Sequence, residues 1–181
     1  MNDGWTIKIL MFASVGYYIK GIDIAVRAIS QFRKESDVDM KLVIAVTKER
    51  EQEFIREIRD DCGGSIPPWV IIVHTRQDVA SLYHAVDVYL NASRSEGFCY
   101  SNIEAIYCGC QVILSDIPQN LVDMPGAIVV EKENVNQLKD KLLDYSCGKS
   151  QSSELQRRYV VEKYNIQKWA DRCFDVLEEF A

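Results

Sequence analysis

Two glutamates eight residues apart, Glu96 and Glu104, enclose a Gly97-Phe98 step in the stretch NASRSEGFCYSNIEAIYCGC, residues 91–110, where a β-rich run gives way to a helical pattern. A carboxylate accepts two hydroxyl donors at once, which suits the vicinal diol of a ribose or a hexose. The first-turn N–H groups of a helix have no intrahelical partners and carry the positive end of its dipole, so an anion is held there without any basic side chain. The spacing therefore fits a sugar nucleotide, with diphosphate at the helix start, a sugar near Glu96, and ribose near Glu104 one to two turns into the helix. The same residues also fit a plainer arrangement, in which Glu96 meets the helix dipole and Glu104 is an exposed helix position.

The flanking sequence supplies the elements that would position these groups. The runs IKILMFA (7–13), MKLVIAV (40–46), WVIIVHT (69–75), DVYLNAS (87–93), QVILSD (111–116) and GAIVVE (126–131) read as strands, and helical patterns lie between them. The near-continuous apolar character of the first two is that of strands buried on both faces. KGIDIAVRAISQFRKES (20–36) sets Ile22, Ala25, Val26, Ile29 and Phe32 on one helical face, and KEREQEFIREIRDD (48–61) does the same with Phe54, Ile55 and Ile58. Alternation of this kind predicts an α/β fold: a doubly wound, Rossmann-like parallel sheet of about six strands, with C-terminal helices. Such sheets bind ligands at the carboxyl ends of their strands, near the switch point, which singles out loops 14–20, 46–48, 75–78, 93–99 and 115–119. Two units are expected: a nucleotide-sugar-binding domain over 1–150 and a helical extension over 151–181.

Composition narrows the classes. The chain has 181 residues, 48% apolar and 27% charged, with a net charge of -6. No basic excess exists to neutralise phosphates, which argues against a nucleic-acid or anionic-membrane binder. No apolar run reaches the ~18–20 residues of a membrane span, and the opening MNDGWTIKILMFAS reads as a strand rather than a signal peptide. Six cysteines at 62, 99, 108, 110, 147 and 173 include no C-x-x-C pair, so reduced thiols are expected rather than a zinc site or a disulfide framework. The expected location is cytoplasmic, with any peripheral membrane association supplied by a further domain.

SRSEGFCYSNIEAIYCGCQVILSD resembles the E-x7-E region of retaining glycosyltransferases of family 4, which have the two-domain GT-B architecture. IKGIDIAVRAI (19–29) resembles the K-G-x-D helix start of that family, and VASLYHAVDVYLNAS (79–93) its L-x-x-x-Y-x-x-A-D-V segment. The resemblance implies catalytic-centre roles for Lys20, on the donor diphosphate, and for Glu96, on the sugar hydroxyls. It also implies ribose binding by Glu104, backbone contacts from Gly97, Phe98 and Cys99, phosphate contacts from Ser101 and Asn102, and a base-holding turn at Thr75, Arg76 and Gln77. Gly16 falls in the first cleft loop. An arginine usual five residues before the lysine is Val15 here, Cys99 replaces a glycine, and Gln111 a proline.

The activity implied is transfer of a hexose from a nucleoside diphosphate to a hydroxyl acceptor, by front-face attack with the leaving phosphate assisting proton removal. No D-x-D-like motif lies near the cleft loops, so no metal or other cofactor is expected, the donor being a nucleotide sugar. The implied partner is an N-terminal acceptor-binding domain, in the same full-length chain or a separate subunit, without which this chain is expected to be inactive. Two other readings share the fold: a non-catalytic module that binds a nucleotide sugar or a partner, and a nucleotide-sugar epimerase. Among the remaining residues, His74, His84, Cys108 and Cys110 are read as packing or surface positions. Tyr17 and Tyr18 in the first loop fit stacking on a base, contact with a partner domain or ordinary loop packing equally well. Trp169 and Phe174 are expected to lie on a surface facing the further domain.

Overall fold

A computed structural model of the chain describes residues 5–13, 16–75, 78–120, 124, 126–148, 153–165 and 167–168. The first apolar run forms β1 (Thr6–Phe12). Successive side chains of a strand point to opposite faces, so Ile7, Ile9 and Met11 enter one core while Leu10 enters another. The chain continues through α1 (Ile22–Glu35), β2 (Asp39–Val46), a 3-10 turn (Lys48–Arg50), α2 (Glu51–Asp61) and β3 (Val70–His74). It returns through α3 (Ala80–His84), β4 (Val88–Asn91), α4 (Tyr100–Tyr107), β5 (Gln111–Ser115), β6 (Ile128–Val130), α5 (Val135–Ser146) and α6 (Ser153–Lys163).

The six strands form one parallel sheet in the order β3-β2-β1-β4-β5-β6, as the α/β alternation predicts. One face is covered by α1, α2 and α5, with Phe32, Phe54 and Leu138 fully buried. The other carries α3 and α4 with Tyr83, Ala105 and Ile106, and Val160 of α6 packs into the same cluster. Thus the described part of the C-terminal extension packs on α4 of its own domain, and Gln156 donates to the Gly126 carbonyl. Trp169 and Phe174 lie outside the described residues.

The switch in strand order falls between β1 and β4, which pair through Ile9–Val88 and Leu10–Tyr89. Connections from these two strands run to opposite faces of the sheet, so the segments leaving their carboxyl ends flank a crevice. Those segments are 16–21 and 92–99, and they carry Lys20 and Glu96. β3 and β6 are the edges, which is why Ile71 and Val129 remain partly exposed despite their apolar character.

Candidate functional site

The segment before α1 is a tight turn. Lys20 N–H donates to the Gly16 carbonyl at 3.0 Å, and the Gly21 and Ile22 N–H groups donate to Tyr18 and Tyr17 at 3.1 and 3.2 Å. Gly21 takes φ 66°, and a Cβ on it would stand 2.0 Å from the Ala92 carbonyl oxygen. Only glycine permits both the left-handed backbone and this approach to the end of β4. The close contact sets Lys20 directly over the β4 exit. At Gly97, by contrast, no protein atom lies within 4 Å of such a Cβ. The backbone constraint falls on Gly21 because two segments distant in sequence cross there.

Lys20 Nζ donates to Glu96 Oε1 at 2.6 Å, with the two side chains only 12% and 11% exposed. Ser93 Oγ donates to the same oxygen, also at 2.6 Å. A partly buried ion pair with an added hydroxyl is held more firmly than a surface pair, because water screens it less. Glu96 is tied further inward: the Ser93 carbonyl accepts from Ser115 Oγ at 2.7 Å, and Asn120 donates to Ser115 at 3.1 Å.

Cys99 is the N-cap of α4; its side chain makes no capping bond, and no acidic residue occupies the helix's first turn. The helix therefore starts just after Glu96 with no carboxylate in its own first turn to occupy its free amides. Cys99 itself is buried and accepts from Asn91 Nδ2 at 3.1 Å; burial and then the charge of Glu96 raise its thiol pKa. Phe98 is 47% exposed, edge-on to Tyr100 at 4.8 Å.

Glu104 stands one turn further along α4, exposed, and accepts from the Tyr83 hydroxyl at 2.8 Å. That hydroxyl also donates to the Ser101 carbonyl at 3.3 Å, which ties α3 to α4. Burial, followed by the hydrogen bond to Glu104, raises the Tyr83 pKa well above its ordinary value. The two residues line a groove of about 500 Å3 with Val79, Ile103, Tyr107 and Tyr164.

Other positions singled out in the sequence fall elsewhere. Asn102 is fully buried: it accepts from Asn91 at 3.0 Å and donates to Asn120 at 3.1 Å, so its amide takes part in an interior network. The reason is helical phase, since Asn102 faces the sheet while Ser101, beside it, is only half-buried. Thr75 directly follows β3 and bonds the Val46 carbonyl through its N–H at 2.8 Å. Arg76, Gln77 and Val15 lie outside the described residues. His74 sits 3.2 Å from Glu51 on the surface, and Tyr17 is buried with its hydroxyl donating to Asp61 at 2.7 Å, both structural roles. The five described cysteines, at 62, 99, 108, 110 and 147, are unpaired.

Three residues with direct contacts to the site were given no role in the sequence reading: Ser93, Tyr83 and Arg94. Each lies inside or beside a motif that drew attention for another residue. Arg94 forks onto Asp23, the aspartate of the K-G-x-D segment, with both contacts at 2.8 Å. An arginine two residues before Glu96 and an aspartate three after Lys20 were visible, but nothing local pairs them.

The chain resembles known proteins along nearly its whole length. It is 24% identical to a trehalose-6-phosphate synthase of Mycolicibacterium gilvum, over 94% of this chain and 39% of that protein. Its fold superposes on a glycosyltransferase from Rickettsia africae with TM-score 0.80 and 20% identity, covering 96% of this chain and 48% of the other. HepE of Anabaena, solved in complex with UDP and glucose, gives TM-score 0.78 at 13% identity, covering 96% of this chain and 48% of HepE. The chain thus spans less than half the length of these relatives. The profile of the family described as glycosyl transferases group 1 matches residues 6–146, and the chain belongs to that family.

Proposed function

We propose that this chain is the donor-binding half of a retaining glycosyltransferase that moves a hexose from a nucleoside diphosphate to a hydroxyl acceptor. The observation that carries the reading is the Lys20–Glu96 pair, 2.6 Å apart at the β1–β4 switch point and beside the start of α4. Within the chain each charge satisfies the other. When donor binds, Lys20 exchanges Glu96 for the diphosphate, and Glu96 is released to accept hydrogen bonds from sugar hydroxyls. As the bond from the anomeric carbon to the phosphate oxygen breaks, negative charge grows on the departing diphosphate. Lys20 and the α4 amides meet that charge from fixed positions, so little reorganisation is needed. Glu104 takes the ribose hydroxyls from the second turn of α4.

Because the chain spans under half of its relatives, the acceptor site belongs to a second domain, and this half binds donor without turning it over. The UDP complex of HepE makes UDP and its sugars the first ligands to try. Glu96→Gln should weaken a UDP-hexose by about 1–3 kcal/mol and leave UDP almost unchanged, since the nucleotide does not touch that residue. Glu104→Gln should weaken both by a similar factor. Titration calorimetry of the two variants with both ligands decides the matter. An equal loss of both ligands in Glu96→Gln would remove the sugar-contact role.

A further inference from the structure

Lys20 is held from both sides by the segment leaving β4. On one flank Gly21 lies against the Ala92 carbonyl; on the other, the Ile19 carbonyl accepts the Arg94 N–H at 2.8 Å. The Arg94 side chain then closes over the turn. Its Nη1 donates to the Tyr18 carbonyl, its guanidinium lies 3.7 Å from the Tyr18 ring centroid, and Nη1 and Nη2 reach the two Asp23 oxygens at 2.8 Å each. Its Nε donates to Glu133 at 2.6 Å. Asp23 is buried in the first turn of α1, and the Arg94 side chain is itself only 13% exposed.

We infer that Arg94 is a positioning residue for donor binding, which sets the Lys20 ammonium for the second phosphate without touching the donor itself. Four of its five N–H donors are committed to oxygens within the protein, so the fork is spent on the fold rather than on a diphosphate. It is therefore a poor substitute for the arginine usual at the position of Val15. Its planar fork joins α1, the Lys20 turn, the β4 exit and Glu133, a geometry that a lysine's single ammonium cannot reproduce.

The inference rests on the donor-site reading of Lys20, and the test separates the two. Affinities for UDP, GDP and ADP and for the matching monophosphates are measured by calorimetry on the whole chain, and the best-binding base is used. The readout is the ratio of diphosphate to monophosphate affinity, which a general loss of folding does not change. Lys20→Ala should lower that ratio at least tenfold, and Arg94→Lys by about tenfold, the equivalent of about 1.4 kcal/mol. In the double variant the Arg94→Lys change should add less than about twofold, because its effect passes through Lys20. If Arg94→Lys does not fold, Asp23→Asn loosens the same fork and should lower the ratio in the same direction. A full tenfold loss persisting without Lys20 would mean that Arg94 contacts the ligand and would overturn the inference. So would an unchanged ratio in a folded Arg94→Lys. A Lys20→Ala chain with the wild-type ratio, or a wild type that binds none of the three diphosphates, would overturn the donor-site reading and the inference with it.

Discussion

Gly21→Ala is the most direct probe of how the fold builds the site. The residue holds φ 66°, where an alanine costs about 1–2 kcal/mol relative to ordinary backbone. The added Cβ would also stand 2.0 Å from the Ala92 carbonyl oxygen and 2.8 Å from its carbon, both of them backbone atoms that no rotamer change can move. Overpacking of that kind adds about 1–3 kcal/mol. Together the two effects predict a loss of about 2–5 kcal/mol, large against the ~5–15 kcal/mol that holds a typical domain. Gly97→Ala is the control: its Cβ meets nothing within 4 Å, so its stability should move by no more than about 0.5 kcal/mol. Urea unfolding of both variants gives the free energies, and UDP titration of folded Gly21→Ala should show weakened binding, since relief of the clash carries Lys20 off its place above Glu96. If Gly21→Ala lost less than about 1 kcal/mol, or no more than Gly97→Ala, the crossing of the K-G turn over β4 would be wrong.

Tyr83→Phe removes the hydroxyl that holds Glu104 but keeps the ring against Phe12 and Tyr89, so it should cost about 0.5–1.5 kcal/mol of stability. It should also reduce discrimination between UDP and 2′-deoxy-UDP; unchanged discrimination would show that Glu104 needs no such support. Asn102→Ala leaves the Asn91 and Asn120 amides short of a buried partner and should lower stability by about 1–3 kcal/mol, read by thermal or urea unfolding. A neutral result would mean that water replaces the amide. Cys110 is buried and its thiol is pushed up to about 12, so at pH 8 only about one molecule in 10^4 carries the reactive thiolate. Iodoacetamide mapping by mass spectrometry should therefore label the exposed Cys147 long before Cys110, and raising the pH should speed Cys110. Equal rates in the folded protein would contradict its burial.

The order of strands and helices was readable because it follows from local rules. Two-residue and 3.6-residue apolar periods choose strand or helix, and parallel strands need crossover helices. The α4 segment was legible for the same reason, since a strand, a glycine and an amphipathic run place the helix start near Cys99. Placing Lys20 beside Glu96, 76 residues away, needed the family resemblance as well, because strand order is not a local property. The Asn91–Asn102–Asn120 network, the Arg94–Asp23 fork and the crossing at Gly21 were out of reach. Each depends on the exact approach of segments between 11 and 76 residues apart, and a buried polar group declares its partner only once the chain has folded around it. Gly97 and Gly21 look alike in the sequence; only the second has another backbone lying against it.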